Sequence, residues 1–341
     1  MKKAVKIPLK VLGWFVSIVL VLLILVFVGE KLLFASFFFG GARKEMKTPG
    51  TWSGYVQQGF DYLPEEDKFL VSAYNKDEDN AAIYVIDNGK ATLCELKNAD
   101  GTPYLSHAGG VTHYGQWVYV ATDNHVDTEG DVYCTHSNCN TVLDMFALSD
   151  VLDGDGKATK VDGIEIPNRL AYASVYGDKL YVGAFHREGS KYITPRSHHL
   201  TTPAGDENTA LMMVYELNAS TGKPKSSTPD HCYSTISNVQ GMCITGEGNM
   251  VLSTSWGLSS SHLYSYNPSK AASGTVSVGG KKVTVYYLDS ACLTQEVKAP
   301  PMAEEMVWLD GRVYILTESA SMKYLYGKLM SGNHIYSYPI A

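Results

Sequence analysis

The sequence predicts an all-β chain: a five-bladed β-propeller preceded by one N-terminal transmembrane helix. Three observations carry this. One short phrase returns five times, the strands that follow it rhyme, and an uncharged apolar run stands near the N-terminus. A recurring strand unit is the signature of a repeat architecture.

Each copy has a small or polar doublet, an apolar residue, a turn, and an apolar strand ending in small polar residues. The copies open at Gln58-Gly59-Phe60, Gly109-Gly110-Val111, Tyr172-Ala173-Ser174, Gln240-Gly241-Met242 and Glu304-Glu305-Met306. Their strands follow at 69–72, 118–122, 180–183, 250–254 and 313–317. Second strands rhyme as well, as in Ile83-Tyr84-Val85, Val214-Tyr215-Glu216, Leu263-Tyr264-Ser265 and Ile335-Tyr336-Ser337. Units of roughly 40–60 residues built from strands mean propeller blades rather than helical repeats. No segment beyond the N-terminal run keeps a helical period.

Residues 1–10 form a basic segment with Lys2, Lys3, Lys6 and Lys10, and residues 11–39 form a transmembrane signal-anchor helix. Val11 to Val28 holds no charge. A span needs roughly 20 apolar residues, whereas a cleavable signal has an apolar region of about 7–15. Small residues at Ala35-Ser36 and Gly40-Gly41-Ala42 leave cleavage open. The leading lysines favour a cytoplasmic N-terminus, hence a single-pass cell-membrane protein with its C-terminal domain extracellular. Arg43, Lys44 and Lys47 blunt that bias. Residues 40–54 read as a linker and 55–341 as the propeller.

In the first unit, Asp87-Asn88-Gly89 marks a hairpin, because Asn-Gly accepts positive φ cheaply. The third unit carries a long insertion, His186 to Asn208. The fourth includes a hairpin at Gly279-Gly280 leading into 282–288. The fifth ends at a second strand, so its outer strands come from 51–57 or are absent. A strand supplied from the N-terminus would protect an open sheet edge.

The chain has 341 residues, 45% hydrophobic, which permits a sizeable core. Residues 1–50 carry a net charge of +6 against −7 for the whole, which leaves −13 on residues 51–341. A domain that acidic repels nucleic acid, so the expected partners are the bilayer, through the helix, and a small molecule, glycan or protein. The six cysteines follow the helix. Cys134 and Cys139 share one short loop, and Cys232 and Cys243 lie in neighbouring segments. These four are the disulfide candidates. Buried thiols are the alternative for Cys94, Cys243 and Cys292. There is no Cys-x-x-Cys pair and hence no zinc ribbon.

The residues that open the first strands converge on one end of a propeller axis. Gln58, Gly109, Tyr172, Gln240 and Glu304 align as one ring. Gly59, Gly110, Ala173, Gly241 and Glu305 align as the next, small enough for blades to crowd the axis. Gln58, His107, Gln240, Glu304 and Glu305 therefore frame either a ligand pocket or a hydrogen-bonded plug. Buried polar groups must be paired in both cases. Carboxylate and amide oxygens suit calcium, although the ring is poor in carboxylates. Histidine suits acid–base work. Ser255, Trp256, His186 and Glu318 fall at strand ends and are expected on the opposite face. No nucleophile elbow and no phosphate-binding loop occurs, so no reaction is readable.

These phrases, with Pro300-Pro301-Met302-Ala303-Glu304-Glu305 and Thr317-Glu318-Ser319-Ala320, resemble uncharacterised membrane-anchored or secreted bacterial β-propeller proteins. The resemblance covers about residues 55–341. More distantly, the chain is similar to lactonase, strictosidine-synthase-like and five-bladed glycosidase propellers. Those relatives imply acidic residues near the axis, often with calcium, and here only Glu304 and Glu305 match such a place. Two functions follow. One is an extracytoplasmic binding propeller held at the membrane. The other is a hydrolase of an ester, lactone or glycan, with Glu304 or His107 as general acid or base.

Overall fold

The computed structural model describes residues 9–77, 80–125, 140–190 and 192–340. Helix α1 (Leu9–Leu33) contains an apolar stretch of 24 residues, Lys10–Leu33, exposed from Lys10 to Gly29. It is long and apolar enough to cross a membrane. Its last turn engages the body. The Glu30 carboxylate accepts the Ser331 backbone N–H at 3.0 Å and also the Ser331 hydroxyl. Short helix α2 (Ala35–Phe38) follows, and Phe34 and Phe37 are buried in the core of the last sheet. Phe37 stacks on Tyr338 with ring centres 5.3 Å apart.

The segment expected to be a linker contains a strand, β1 (Arg43–Lys47). Next come β2 (Tyr55–Leu63), β3 (Lys68–Asn75), β4 (Ala81–Asp87) and β5 (Lys90–Lys97), an antiparallel meander. A second is β6 (Gly110–Tyr114), β7 (Trp117–His125), β8 (Thr141–Ala147) and β9 (Lys157–Ile166). The third opens with β10 (Tyr172–Tyr176) and β11 (Lys179–Gly183). After an insertion holding β12 (Leu200–Thr201) and β13 (Glu207–Asn208), it ends with β14 (Ala210–Glu216) and β15 (His231–Thr235). The fourth opens with β16 (Val239–Ile244), β17 (Met250–Thr254) and β18 (Ser261–Tyr266). A hairpin, β19 (Ser273–Val278) and β20 (Lys281–Tyr287), precedes its closing strand β21 (Leu293–Ala299). The last is β22 (Ala303–Leu309), β23 (Arg312–Thr317), β24 (His334–Tyr338) and, from the far end of the chain, β1.

The first strands of successive meanders touch in closed order: β2 on β6, β6 on β10, β10 on β16, β16 on β22, and β22 back on β2. The fold is therefore mostly β and propeller-like, with cores between neighbouring sheets. One such core joins Leu143 and Ile166 to Leu211 and Met213. Outer edges are tied as well. β5 pairs with β9 and β15 pairs with β20, both in parallel.

Three sequence expectations change. The last sheet is closed by 43–47 rather than 51–57, because Tyr55–Gln57 already begin the inner strand β2 and the wedged helix delivers 43–47 to the open edge. The Gly279-Gly280 hairpin forms with φ of 53° and 77°, but it joins the third sheet rather than the fourth. Its Val276, Val278, Val283 and Val285 pack with Leu211 and Met213. Finally, Cys232 and Cys243 are free buried thiols facing different cores, one beside Tyr215 and the other beside Phe34, so the expected bridge is not formed. Burial pushes the Cys232 thiol up to about 12. Cys134 and Cys139 lie outside the described residues. The Asn88-Gly89 turn has φ of 47° and 75°, as a two-residue hairpin requires.

Candidate functional site

Three inner strands break register where the repeated phrase sits. The irregularities lie between Gln57 and Phe60, between Val239 and Gly241, and between Ala303 and Met306. A bulge re-aims the side chain of the extra residue. Here the residues within those steps are Gln58-Gly59, Gln240 and Glu304-Glu305. The residues entering two of these strands, Asn238 and Met302, hold positive φ of 63° and 64°. Such backbone is costly for non-glycine residues and concentrates at functional sites.

The second ring crowds the axis. A Cβ on Gly110 would come 2.6 Å from the Ala173 nitrogen, and one on Gly59 would collide with the Val111 amide and Ser72. Into this crowd reaches Glu305, 1% exposed. One carboxylate oxygen accepts the Phe60 and Val111 amides at 3.0 and 2.9 Å, and the other accepts the Ala173 amide at 3.2 Å. Burial drives its carboxyl well up, and these amides pull it partway back. Glu305 ties β2, β6 and β10 together and plugs the axis.

Above the plug lies a cavity of about 350 Å³. Gln58, His107 and Gln240 line it, as do Ser255, Trp256 and Glu318. The last three thus share an end with the Gln58–Gln240 ring rather than occupying the opposite face. The reason is geometric: antiparallel pairing sets the end of a second strand beside the start of the first. Thr254 faces Val239, and Thr317 faces Ala303.

Two amide–acid pairs build the floor. Gln58 Nε2 donates to Glu318 Oε2 at 2.9 Å and to the Gln57 carbonyl at 2.8 Å. Gln240 Nε2 lies 3.4 Å from both Glu304 Oε1 and Ser255 Oγ. Glu304 is buried behind Gln240 and does not line the cavity. Burial, then the charges of Glu318 and Glu305, drive its carboxyl well above the usual range. Glu318 is raised to about 7 by burial, against the pull of Gln58 and Lys323.

The walls are aromatic. The His107 ring stacks on Tyr74 at 4.2 Å. Lys323 Nζ donates to the Tyr74 hydroxyl at 2.8 Å and sits 4.9 Å from the ring centre. Across the cavity, Trp256 stacks on Phe185 at 6.0 Å, and the Arg169 guanidinium lies 5.2 Å over Tyr192. Sequence reasoning missed Tyr74, Arg169, Tyr192, Lys323 and Tyr324, which come from strand ends and connections with no shared phrase. The repeat alignment already placed Glu318 and Trp256 at matching positions, and strand polarity alone would have assigned them to this end.

Among the described residues, no three of His, Cys, Asp or Glu gather as metal ligands, so the calcium expectation finds no donor set there. Glu318, bonded to Gln58 and near the charge of Lys323, and Glu304, beside the Gln240 amide, suit hydrogen bonding instead.

No protein-family model and no curated protein matches the chain. Solved structures do. The PQQ-bound aldose sugar dehydrogenase of Streptomyces coelicolor is 14% identical, with TM-score 0.42, covering 81% of this chain and 76% of that one. A gluconolactonase of Xanthomonas campestris is 10% identical, with TM-score 0.37 and coverages of 88% and 95%. An exo-β-1,3-galactanase of Phanerochaete chrysosporium is 10% identical, with TM-score 0.45 and coverages of 84% and 61%. At these identities the similarity is one of fold.

Proposed function

We propose that this chain is a membrane-tethered five-bladed propeller that binds a small hydroxyl-bearing ligand, carbohydrate in character, in its axial cavity. One observation carries the reading. Flat aromatic faces (Trp256, Tyr324) and convergent amide and acid groups (Gln58, Gln240, Glu318) line one concave space of about 350 Å³. A mostly apolar hollow with a few placed polar groups is the usual form of a ligand site. Aromatic faces cover the C–H side of a sugar, and the amides and Glu318 address its hydroxyls. The helix holds the domain at the cell membrane, and the lysines preceding it favour a domain outside the cytoplasm.

Calorimetric titration of the full chain in detergent against a panel of mono- and oligosaccharides tests the reading. Gln58→Ala and Trp256→Ala are each expected to weaken the tightest ligand about tenfold. A panel without any binder, or binding indifferent to both substitutions, removes it.

A second reading has its own observation. Glu318 faces the cavity with its carboxyl near 7, where a general acid or base works best. Hydrolysis of a glycan or lactone would then centre on Glu318 rather than on the occluded Glu304. Turnover lost in Glu318→Gln but kept in Glu304→Gln would support it.

A further inference from the structure

Helix α1 leaves the body at the cavity end. Its first buried residue is Glu30, and Glu30 is bound to Ser331. Ser331 lies in the connection between β23 and β24, and the same connection supplies Glu318, Lys323 and Tyr324 to the cavity. Thr48, just after β1, bonds that connection too, its amide meeting the Asn333 carbonyl at 3.0 Å. From Lys10 to Gly29 the helix is exposed.

The exposed apolar side chains follow the same geography. Trp52, Leu105, Leu258 and Leu329 are 72%, 53%, 71% and 52% exposed, and Trp256 is 36% exposed. Every one stands in a connection at the cavity end. The opposite end and the sheet flanks expose Phe39, Tyr176 and Val161. The cavity-end connections nearest the helix, 48–54, 255–260, 300–302 and 318–333, contain a single acid, Glu318, which points inward. Their cations are Lys323 and Lys328. The Lys328 ammonium lies 3.9 Å over the Trp52 ring and bonds the Ala320 carbonyl at 2.6 Å. Tryptophan, leucine and lysine without acids is the composition of a membrane–water interface, and it is confined to this sector, since connections farther round the rim carry Asp77, Asp100 and Glu188.

We infer that the sector of the cavity rim beside the helix is a membrane-docking surface, with Trp52, Trp256, Leu258 and Leu329 in the interfacial layer and the mouth tilted toward the bilayer. The cavity is then reached along the membrane plane. The inference rests on the cavity reading proposed above for its functional meaning, and on the helix exit and the rim for its geometry.

The test uses the full chain with Trp14→Phe, reconstituted in nanodiscs of ordinary or brominated phosphatidylcholine. Bromine quenches tryptophan only at membrane depth. Trp52 and Trp256 stand on the rim, while Trp117 and Trp308 sit toward the opposite end, so they serve as controls. Quenching in brominated discs is expected, and Trp52→Phe with Trp256→Phe should remove most of it. Leu258→Asp should lower the quenching of Trp256 without altering the circular dichroism spectrum. Absent quenching, or quenching carried instead by Trp117 and Trp308, overturns the inference. Its failure is separable from failure of the cavity reading. Sugar binding with unquenched rim tryptophans overturns this inference alone, and a quenched rim without sugar binding overturns only the other.

Discussion

Glu305 is the residue on which the ring turns. Three inner-strand amides in the crowded second ring donate to it. Leaving buried donors unpaired costs about 1–3 kcal/mol apiece. Glu305→Ala should therefore cost about 3 kcal/mol or more and lower the melting temperature more than Gln240→Ala, as thermal denaturation will show. Glu318 makes a pH prediction. Its carboxyl stands at about 7 in the folded chain against an ordinary 4.5. Below 4.5 the folded and unfolded chains both hold the proton. Between 4.5 and 7 only the folded chain holds it, so stability falls as pH rises through that window. Glu304 and Glu305, also raised by burial, act with the same sign. His186, His198, His231 and His334, lowered by burial, act with the opposite sign, so the checkable quantity is a difference: the melting temperature of the native chain relative to Glu318→Gln should fall from pH 4.5 to 7.

At the scale of elements, the N-terminal segment is part of the domain. β1 caps the last sheet, and Phe34 and Phe37 fill a hollow formed with Ala303, Ile315 and Tyr336. Emptying such a site costs about 3–5 kcal/mol for a phenylalanine. Phe37→Ala is expected to lose that much in chemical denaturation. A truncated chain beginning at Thr48 loses the wedge and leaves β24 an open edge. It should aggregate where a chain beginning at Leu32 remains soluble, and light scattering distinguishes the two. The strands were legible from their phrases because inner and second strands repeat the same apolar alternation. β1, β9, β15 and β21 were not. Arg43-Lys44-Glu45-Met46-Lys47 reads as charged linker, since an outer strand facing solvent needs few apolar residues. Leu293 to Ala299 is likewise half polar.

At the scale of the molecule, closure around an axis was readable, because five aligned phrases had to meet somewhere. The contents of the cavity were only half readable. Gln58, His107 and Gln240 belong to aligned phrases and line the space as the alignment implies. Arg169, Tyr192 and Lys323 come from connections that differ in every unit, so no periodicity points to them. Glu304 and Glu305 were grouped together, yet adjacent residues on a strand point to opposite sides, and a bulge separates their duties further. One faces an amide beside the cavity, and the other grips the backbone beneath it.

The pairing of β1 with β24 sets an order of events in biosynthesis. The early strand must wait, tethered beside its helix, for a strand made far later. Until β24 has left the ribosome the circle stays open, so maturation is governed by its slowest and most distant contact. A nascent chain stalled before His334 would present an unclosed, chaperone-dependent intermediate.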